Sequence, residues 1–204
     1  MSEDGFHHVG GFLTEDERKV LLDTFRATIE VAPLVQPRMP QGNPFSVEVT
    51  SLGKYGWWSD SKGYRYVEAH PRTQNPWPEI PETVLRVYER ACWYCGIRPA
   101  RVDVCLINHY PDGEAKLGMH RDEQERCDAP IVSFSLGADA MFVLGGPEKT
   151  GYPRRRFILQ DGDLVILSGL SRNFYHGIER VMPTMFNALP EGGRINYTLR
   201  QVDP

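Results

Sequence analysis

The spacing of apolar residues changes character along the chain. Behind Thr14-x-x-Glu17, a capping-box pattern, the apolar residues Val20, Leu21, Phe25 and Ile29 recur at helical spacing, predicting a helix from Leu13 to about Glu30 with one buried face. Pro33, Pro37, Pro40 and Pro44 then prevent regular structure until FSVEVTSLG, which alternates like a strand. The next stretch, YGWWSDSKGYRYVEAHPRTQNPWPEIP, is dense in aromatics, Gly and Pro, and ends where a second helix begins near Pro81. From Arg101 onward the texture is one of short β-like runs: RVDVCLINHY, KLGMH, PIVSFSLG, AMFVLGG, RRFILQ, DLVILSG, RNFYHGI and RINYTLRQ. Such runs, separated by Gly, Pro and Asp, predict a mainly β (α+β) protein: an antiparallel sandwich or barrel, with the two helices packed outside. Asp161-Gly162 reads as a hairpin turn. No repeat, low-complexity tract or clean linker divides the chain, so residues 1–100 and 101–204 are expected to form one integrated domain, the first part packed on a β-core made by the second.

Composition removes several alternatives. At 204 residues, with 41% hydrophobic and 25% charged, the chain is long enough and apolar enough to bury a core, which excludes disorder as the source of its polar stretches. A net charge of -4 excludes a protein that coats nucleic acid by bulk electrostatics. A local basic patch at Arg154-Arg155-Arg156 remains, with an equally good reading as a strand edge guarded against aggregation. The amino terminus lacks the pattern of a secretory signal and no apolar run reaches the length of a membrane span, so a cytoplasmic protein without membrane partners is expected. Cys92-x-x-Cys95 lies inside the second helical pattern without another ligand pair, which argues against zinc or redox roles.

Candidate chemistry enters through polar strand faces. In RINYTLR, Ile195, Tyr197 and Leu199 point one way while Arg194, Asn196, Thr198 and Arg200 point the other. In CLINHY, Leu106, Asn108 and Tyr110 share a face, and His109 opposite them reads as structural. His120-x-Asp122 alone decides nothing. Together with His176, 56 residues further on after a strand-like run, it matches the two-histidine, one-carboxylate facial triad of non-haem iron(II) enzymes, which leaves coordination positions open. A 2-oxo acid could chelate there, and its far carboxylate would need a buried cation, a role suited to the planar fork of arginine.

At these residues the chain resembles the AlkB family of Fe(II)- and 2-oxoglutarate-dependent dioxygenases. NHYPDGEAKLGMHRDE, PIVSFSLG, DGDLVILSGLSRNFYHGI and RINYTLRQ carry the resemblance, and GWWSDSKGYRY and NPWPEIP extend it towards bacterial members, over roughly residues 45 to 201. It implies a double-stranded β-helix, or jelly roll, with flanking N-terminal helices and an N-terminal nucleotide-recognition lid. It implies that His120, Asp122 and His176 ligate iron and act as the catalytic centre, and that Asn108, Tyr110, Arg194, Asn196 and Arg200 hold 2-oxoglutarate. Arg194 would pair with the distal carboxylate and Arg200 would lie towards the metal. The implied reaction is oxidative dealkylation of a nucleobase nitrogen in DNA or RNA, consuming O2 and 2-oxoglutarate and releasing formaldehyde, succinate and carbon dioxide.

An alkylated pairing edge is reachable only on a flipped or single-stranded base. Trp57, Trp58, Tyr64 and Tyr66 offer aromatic faces for it, with Lys54 and Arg65 available to phosphates. The resemblance implies that Trp57 stacks, with His120 on the other side, and that Tyr64 is a lid or phosphate contact. Trp58 reads better as core. Bacterial members carry an acid two positions after the metal aspartate to contact the base; here Gln124 stands there, an acceptor without charge. The segment EKTGYPRRR also departs from the family, and its arginines are further candidates for phosphate contact. A monomer is expected. Two other readings stay open: the same core acting on a protein or small molecule, and a cupin-like barrel that binds a metal or ligand without oxidation, which would have no need for two inward arginines.

Overall fold

A computed structural model describes residues 3–182, 189 and 192–204. In chain order the elements are β1 (Phe6–Val9), α1 (Glu15–Val31), β2 (Glu48–Gly53), β3 (Gly56–Asp60), β4 (Gly63–Val67), α2 (Glu82–Tyr94), β5 (Val104–Tyr110), β6 (Leu117–His120), β7 (Ile131–Gly137), β8 (Asp139–Leu144), β9 (Arg155–Leu159), β10 (Leu164–Leu167), a 3-10 helix (Gly169–Asn173), β11 (His176–Met182) and β12 (Arg194–Arg200). Ten strands form two facing antiparallel sheets, ordered β1-β10-β7-β12-β5-β2 and β6-β11-β8-β9, and β3 and β4 form a separate hairpin. This is the jelly roll.

Helix α1 begins where the capping box places it: the Thr14 hydroxyl accepts from the Glu17 amide at 3.2 Å and the Glu17 carboxylate accepts from the Thr14 amide at 2.9 Å. Its buried face, Leu21 and Phe25, packs with Val87 and Tyr88 of α2 onto the outward residues of the larger sheet, Ile107, Ile195, Tyr197 and Leu199. The Tyr197 hydroxyl, buried under α1, donates to the Leu21 carbonyl at 2.6 Å. A second cluster, with Tyr110, Ile131, Phe142, Leu144 and Ile178, fills the space between the sheets. The alternation in β12 sorts its residues between these two layers. Pairing of Arg194 with Tyr110 and Asn196 with Asn108 across β12 and β5 then brings both polar faces to the same interior cavity.

Four details differ from the expectations. Phe6–Val9 adds an edge strand to the larger sheet, and residues 1–100 therefore contribute two of its strands, β1 and β2. The aromatic stretch forms the β3–β4 hairpin, anchored by Trp77, whose indole donates to the Val67 carbonyl at 2.9 Å. The run RNFYHGI splits into the end of the 3-10 helix and the start of β11, so His176 opens a strand rather than following one. Asp161-Gly162 does make a turn, closed by the Asp163 amide on the Gln160 carbonyl at 3.1 Å, with Gly162 at φ +87°. It is not a hairpin turn, because β9 belongs to the smaller sheet and β10 to the larger. Cys92 and Cys95 are buried free thiols, and burial pushes Cys92 up to about 11, which keeps it a protonated, inert core residue. No helix among the described residues is long and apolar enough to cross a membrane.

One glycine sets the distance between two functional strands. In β11, Gly177 lies against β6 so closely that a Cβ would stand 2.6 Å from the Leu117 carbonyl oxygen and 2.9 Å from that of Gly118. These are backbone atoms paired in the sheet and cannot swing aside. Gly177→Ala is expected to lower stability by about 1–3 kcal/mol in urea unfolding and to weaken Co(II) binding, because His120 and His176 are register partners across these strands. An unchanged midpoint with unchanged metal affinity would show that β6 has room to move.

Candidate active site

His120 ends β6, Asp122 follows in the loop, and His176 opens β11. The structure brings the three together: one ligand atom from each lies within 4.8 Å of the others, and no other such group of His, Cys, Asp and Glu occurs among the described residues. Each imidazole has its Nδ1 against a backbone carbonyl, His120 on Gly118 at 2.9 Å and His176 on Phe174 at 3.1 Å. A carbonyl only accepts, so both Nδ1 atoms carry hydrogen and both Nε2 lone pairs are available to a metal. His176 Nε2 is 3.6 Å from Asp122 Oδ2, and His120 Nε2 is 3.9 Å from Oδ1.

Asp122 is buried, and its two oxygens differ. Oδ1 accepts from Arg200 Nη1 at 2.9 Å, whereas Oδ2 has no hydrogen-bond partner. A buried carboxylate oxygen without a partner is costly, and a cation coordinated there removes the deficit. The donor set therefore fits a divalent metal with two neutral nitrogens and one anionic oxygen. Burial pushes the Asp122 carboxyl up, but Arg200 and then the two histidines overcome it and hold the group below the usual carboxylate range. Burial, then the neighbouring His120, pushes His176 down to about 4, keeping it neutral near pH 7.

Beyond the triad an inner cavity is lined by Asn108, Tyr110, Arg194, Asn196, Thr198 and Arg200. Arg194 is fully buried; its Nη2 donates to Ser135 at 2.8 Å, while Nε and Nη1 have no partner. Burial pushes its guanidinium down, a penalty that an incoming carboxylate would relieve. The Nε of Arg200 is also unpartnered. These atoms fit a dicarboxylate co-substrate lying between the metal and Arg194. The Asn196 amide group already donates to Ser133 at 2.7 Å and the Phe134 carbonyl at 3.0 Å, so it shapes this cavity without a free donor. Burial pushes the Tyr110 phenol up to about 12. His109 sits on the opposite face as expected, 2.9 Å from Glu48.

An outer cavity of about 450 Å³ opens over the metal ligands, within the range of small-molecule sites. Trp57, Tyr64, His120, Gln124 and Lys149 are among its lining residues. Trp57 and Tyr64 stack at 5.9 Å between centroids and 19° between planes. Tyr66, counted among the stacking candidates, is instead half-buried with its hydroxyl donating to Glu125, and Trp58 donates to Asp60 at 3.1 Å. Lys54 is held by Asp203 and Arg65 by Asp60. Arg155 and Arg156 pair with Asp4 and Glu179 on the edge strand β9, which favours the guarded-edge reading of that basic run.

The sequence reading missed four contributors. Ser133 and Ser135 alternate inward in IVSFSLG and could have been found by that period. Glu125 and Arg172 are buried charges whose partners lie 43 or more residues away, and no local pattern announces them.

Sequence comparison matches residues 5–200 to the 2OG-Fe(II) oxygenase superfamily. The alpha-ketoglutarate-dependent dioxygenase AlkB homolog of Caulobacter vibrioides (strain NA1000 / CB15N) is 39% identical over 198 residues, covering 97% of this chain and 87% of that protein. DNA N(6)-methyladenine demethylase ALKBH1D of Arabidopsis thaliana is 30% identical over 222 residues, 93% of this chain and 47% of that longer protein. Among solved structures, OsALKBH1 superposes with a TM-score of 0.81 at 26% identity, covering 98% of this chain and all of that one.

The His176 shift carries a stability consequence. Its value in the fold lies below the ordinary 6.5, so between about pH 6.5 and 4 the unfolded chain binds more protons than the folded one. Stability of the metal-free protein therefore rises with pH across that window and is lost as pH falls through it. Urea midpoints should drop from pH 7 to pH 4, and His176→Gln should flatten the drop; equal slopes in the two proteins would count against a buried neutral His176.

Proposed function

The chain belongs to the AlkB family of 2-oxoglutarate- and Fe(II)-dependent dioxygenases, and from that premise we propose that it removes alkyl groups from the ring nitrogens of nucleobases in DNA, and in RNA where the base is unpaired. One observation carries the reading: the unpartnered buried atoms of Asp122, Arg194 and Arg200 belong to residues lining one cavity, directly beneath an aromatic-walled opening large enough for a base. A metal-binding barrel without oxidative chemistry has no use for the two guanidinium groups.

His120, Asp122 and His176 hold Fe(II) in this reading, which together with 2-oxoglutarate supplies the activation of O2. Arg194 receives the far carboxylate of the co-substrate with its two unpartnered nitrogens. Arg200 presents Nε towards the metal end, and Asn108 and Tyr110 close the cavity wall. Overall, one methyl group leaves as formaldehyde while 2-oxoglutarate and O2 become succinate and carbon dioxide. The protein contributes placement, exclusion of water and fixed charge. Residues 1–100 supply the hairpin lid and its buttress, and residues 101–204 the ligands and cavity, as one integrated unit.

The substrate enters as a flipped or single-stranded base, because the alkylated edge is hidden in a duplex. Trp57, stacked on Tyr64, offers the base a face, and His120 lines the same cavity. Gln124 meets the base edge without a negative charge, so a cationic methylated base gains less here than it would beside a carboxylate. In this reading the enzyme works as a monomer in the cytoplasm.

The decisive assay is formaldehyde release from a single-stranded oligonucleotide bearing 1-methyladenine or 3-methylcytosine, with Fe(II), 2-oxoglutarate and ascorbate. Wild type should release formaldehyde and His120→Ala should not. Succinate formation without formaldehyde would keep the oxygenase and reject this substrate class. Gln124→Asp should raise turnover of 1-methyladenine by up to about tenfold, the equivalent of about 1.4 kcal/mol in the transition state; unchanged relative rates among methylated bases would remove Gln124 from base recognition.

A further inference from the structure

The loop that carries Asp122 has no regular secondary structure from residue 121 to 130, yet a metal ligand on it must keep one orientation. Its restraint comes from side chains behind it. Arg200 Nη1 donates to Asp122 Oδ1 at 2.9 Å, to Glu125 Oε1 at 2.9 Å and to the Tyr66 hydroxyl at 3.3 Å. The other oxygen of Glu125 accepts from Arg172 Nη2 at 3.1 Å, and Arg172 in turn donates to the backbone carbonyls of Asp122 and Ala129, both at 3.0 Å. Glu125 has no exposed side-chain surface and Arg172 only 3%. Two buried guanidinium groups thus face two buried carboxylates, and Glu125 touches both cations.

Tyr66 brings in the lid. It lies on β4 two residues from Tyr64, and it is the cross-strand partner of Trp57. These three side chains therefore project from one face of the hairpin, the outer two into the opening over the metal and the innermost onto Glu125.

We propose that Glu125 is a positioning residue that acts on the metal site through Arg200 and Arg172: it fixes Asp122 with Oδ2 turned to the metal and, through Tyr66, ties the β3–β4 hairpin to the same guanidinium. Without Glu125, Arg200 has one carboxylate fewer to settle against, and Arg172 loses the side-chain partner that keeps it under the Asp122 backbone. Asp122 is then free to turn, since only Arg200 holds its Oδ1. The part of this inference that concerns the hairpin rests on the nucleobase reading above; the part that concerns the metal does not.

The test uses the full chain, metal-free, titrated with Co(II) and followed by its visible absorption, with and without 2-oxoglutarate. Glu125→Gln should bind Co(II) about tenfold or more weakly, the usual scale for loss of a group that orients a ligand, and should show altered ligand-field bands. Tyr66→Phe, which removes a single hydroxyl, should keep Co(II) affinity within about twofold. It should lose the spectral response to the methylated oligonucleotide, and with Fe(II) it should form more succinate per formaldehyde than wild type. If Glu125→Gln does not fold, Arg172→Lys takes its place in the Co(II) titration with the same expected weakening, because Arg172 links Glu125 to the Asp122 carbonyl, and wild-type affinity and bands there would overturn the metal part; Tyr66→Phe carries the hairpin part. Wild-type Co(II) affinity and bands in a folded Glu125→Gln protein would overturn the metal part. A wild-type spectral response and succinate ratio in Tyr66→Phe would overturn the hairpin part. A wild-type protein whose Co(II) spectrum ignores the oligonucleotide, and which releases no formaldehyde, overturns the nucleobase reading and the hairpin link together, and leaves the metal part to the Glu125→Gln titration.

Discussion

Arg200 against Asp122, 2.9 Å apart and both buried, is the contact on which the site depends. A carboxylate in the interior between two sheets is tolerated only when paired, and a pairing that satisfied both of its oxygens would leave nothing for a metal. The geometry satisfies one oxygen and leaves the other bare. Burial by itself would push the Arg200 guanidinium down, but Asp122, then Tyr66 and Glu125, all of which meet its Nη1, hold it well above its ordinary value. The triad is thus one edge of a larger arrangement in which four buried charges, Asp122, Arg200, Glu125 and Arg172, answer one another.

The sheets make that arrangement possible. β12 lies between β5 and β7 in the larger sheet, so its inward residues meet polar partners from both sides, Asn108 and Tyr110 on β5 and Ser133 and Ser135 on β7. The smaller sheet supplies the histidines from adjacent strands, brought close by the absence of a side chain at Gly177. The two helices cover the other face of the larger sheet with an apolar layer and keep water from it. The hairpin stands outside both sheets and contributes the wall of the opening.

Much of this was legible in residue order. The period of two in RINYTLR put Arg194 and Arg200 on one face and Ile195, Tyr197 and Leu199 on the other, faces that the fold turns to the cavity and to the helices, and the helical period behind Thr14 placed α1 within a residue or two. The aromatic lid was visible as composition but not as a hairpin. Its turn is held by the Lys62 amide on the Asp60 carboxylate at 2.8 Å, and its base by Trp77 under Gly56, contacts that join residues up to 21 apart. Likewise Asp161-Gly162 declared a turn, while the sheet each flanking strand joins depended on partners elsewhere in the chain.

What the sequence by itself determined was the periodicity of each element and the class of chemistry that two histidines and a carboxylate suit, because strand and helix periods and ligand preference belong to the residues themselves. Tertiary structure alone decided which cation meets which carboxylate. Arg172 and Glu125 are 47 residues apart, Arg200 and Asp122 are 78 apart, and Tyr66 is 134 from Arg200. A buried ionic contact takes its energy from the exclusion of water by surrounding elements, and that exclusion exists only once both sheets, the loop after β6 and the hairpin have closed around it.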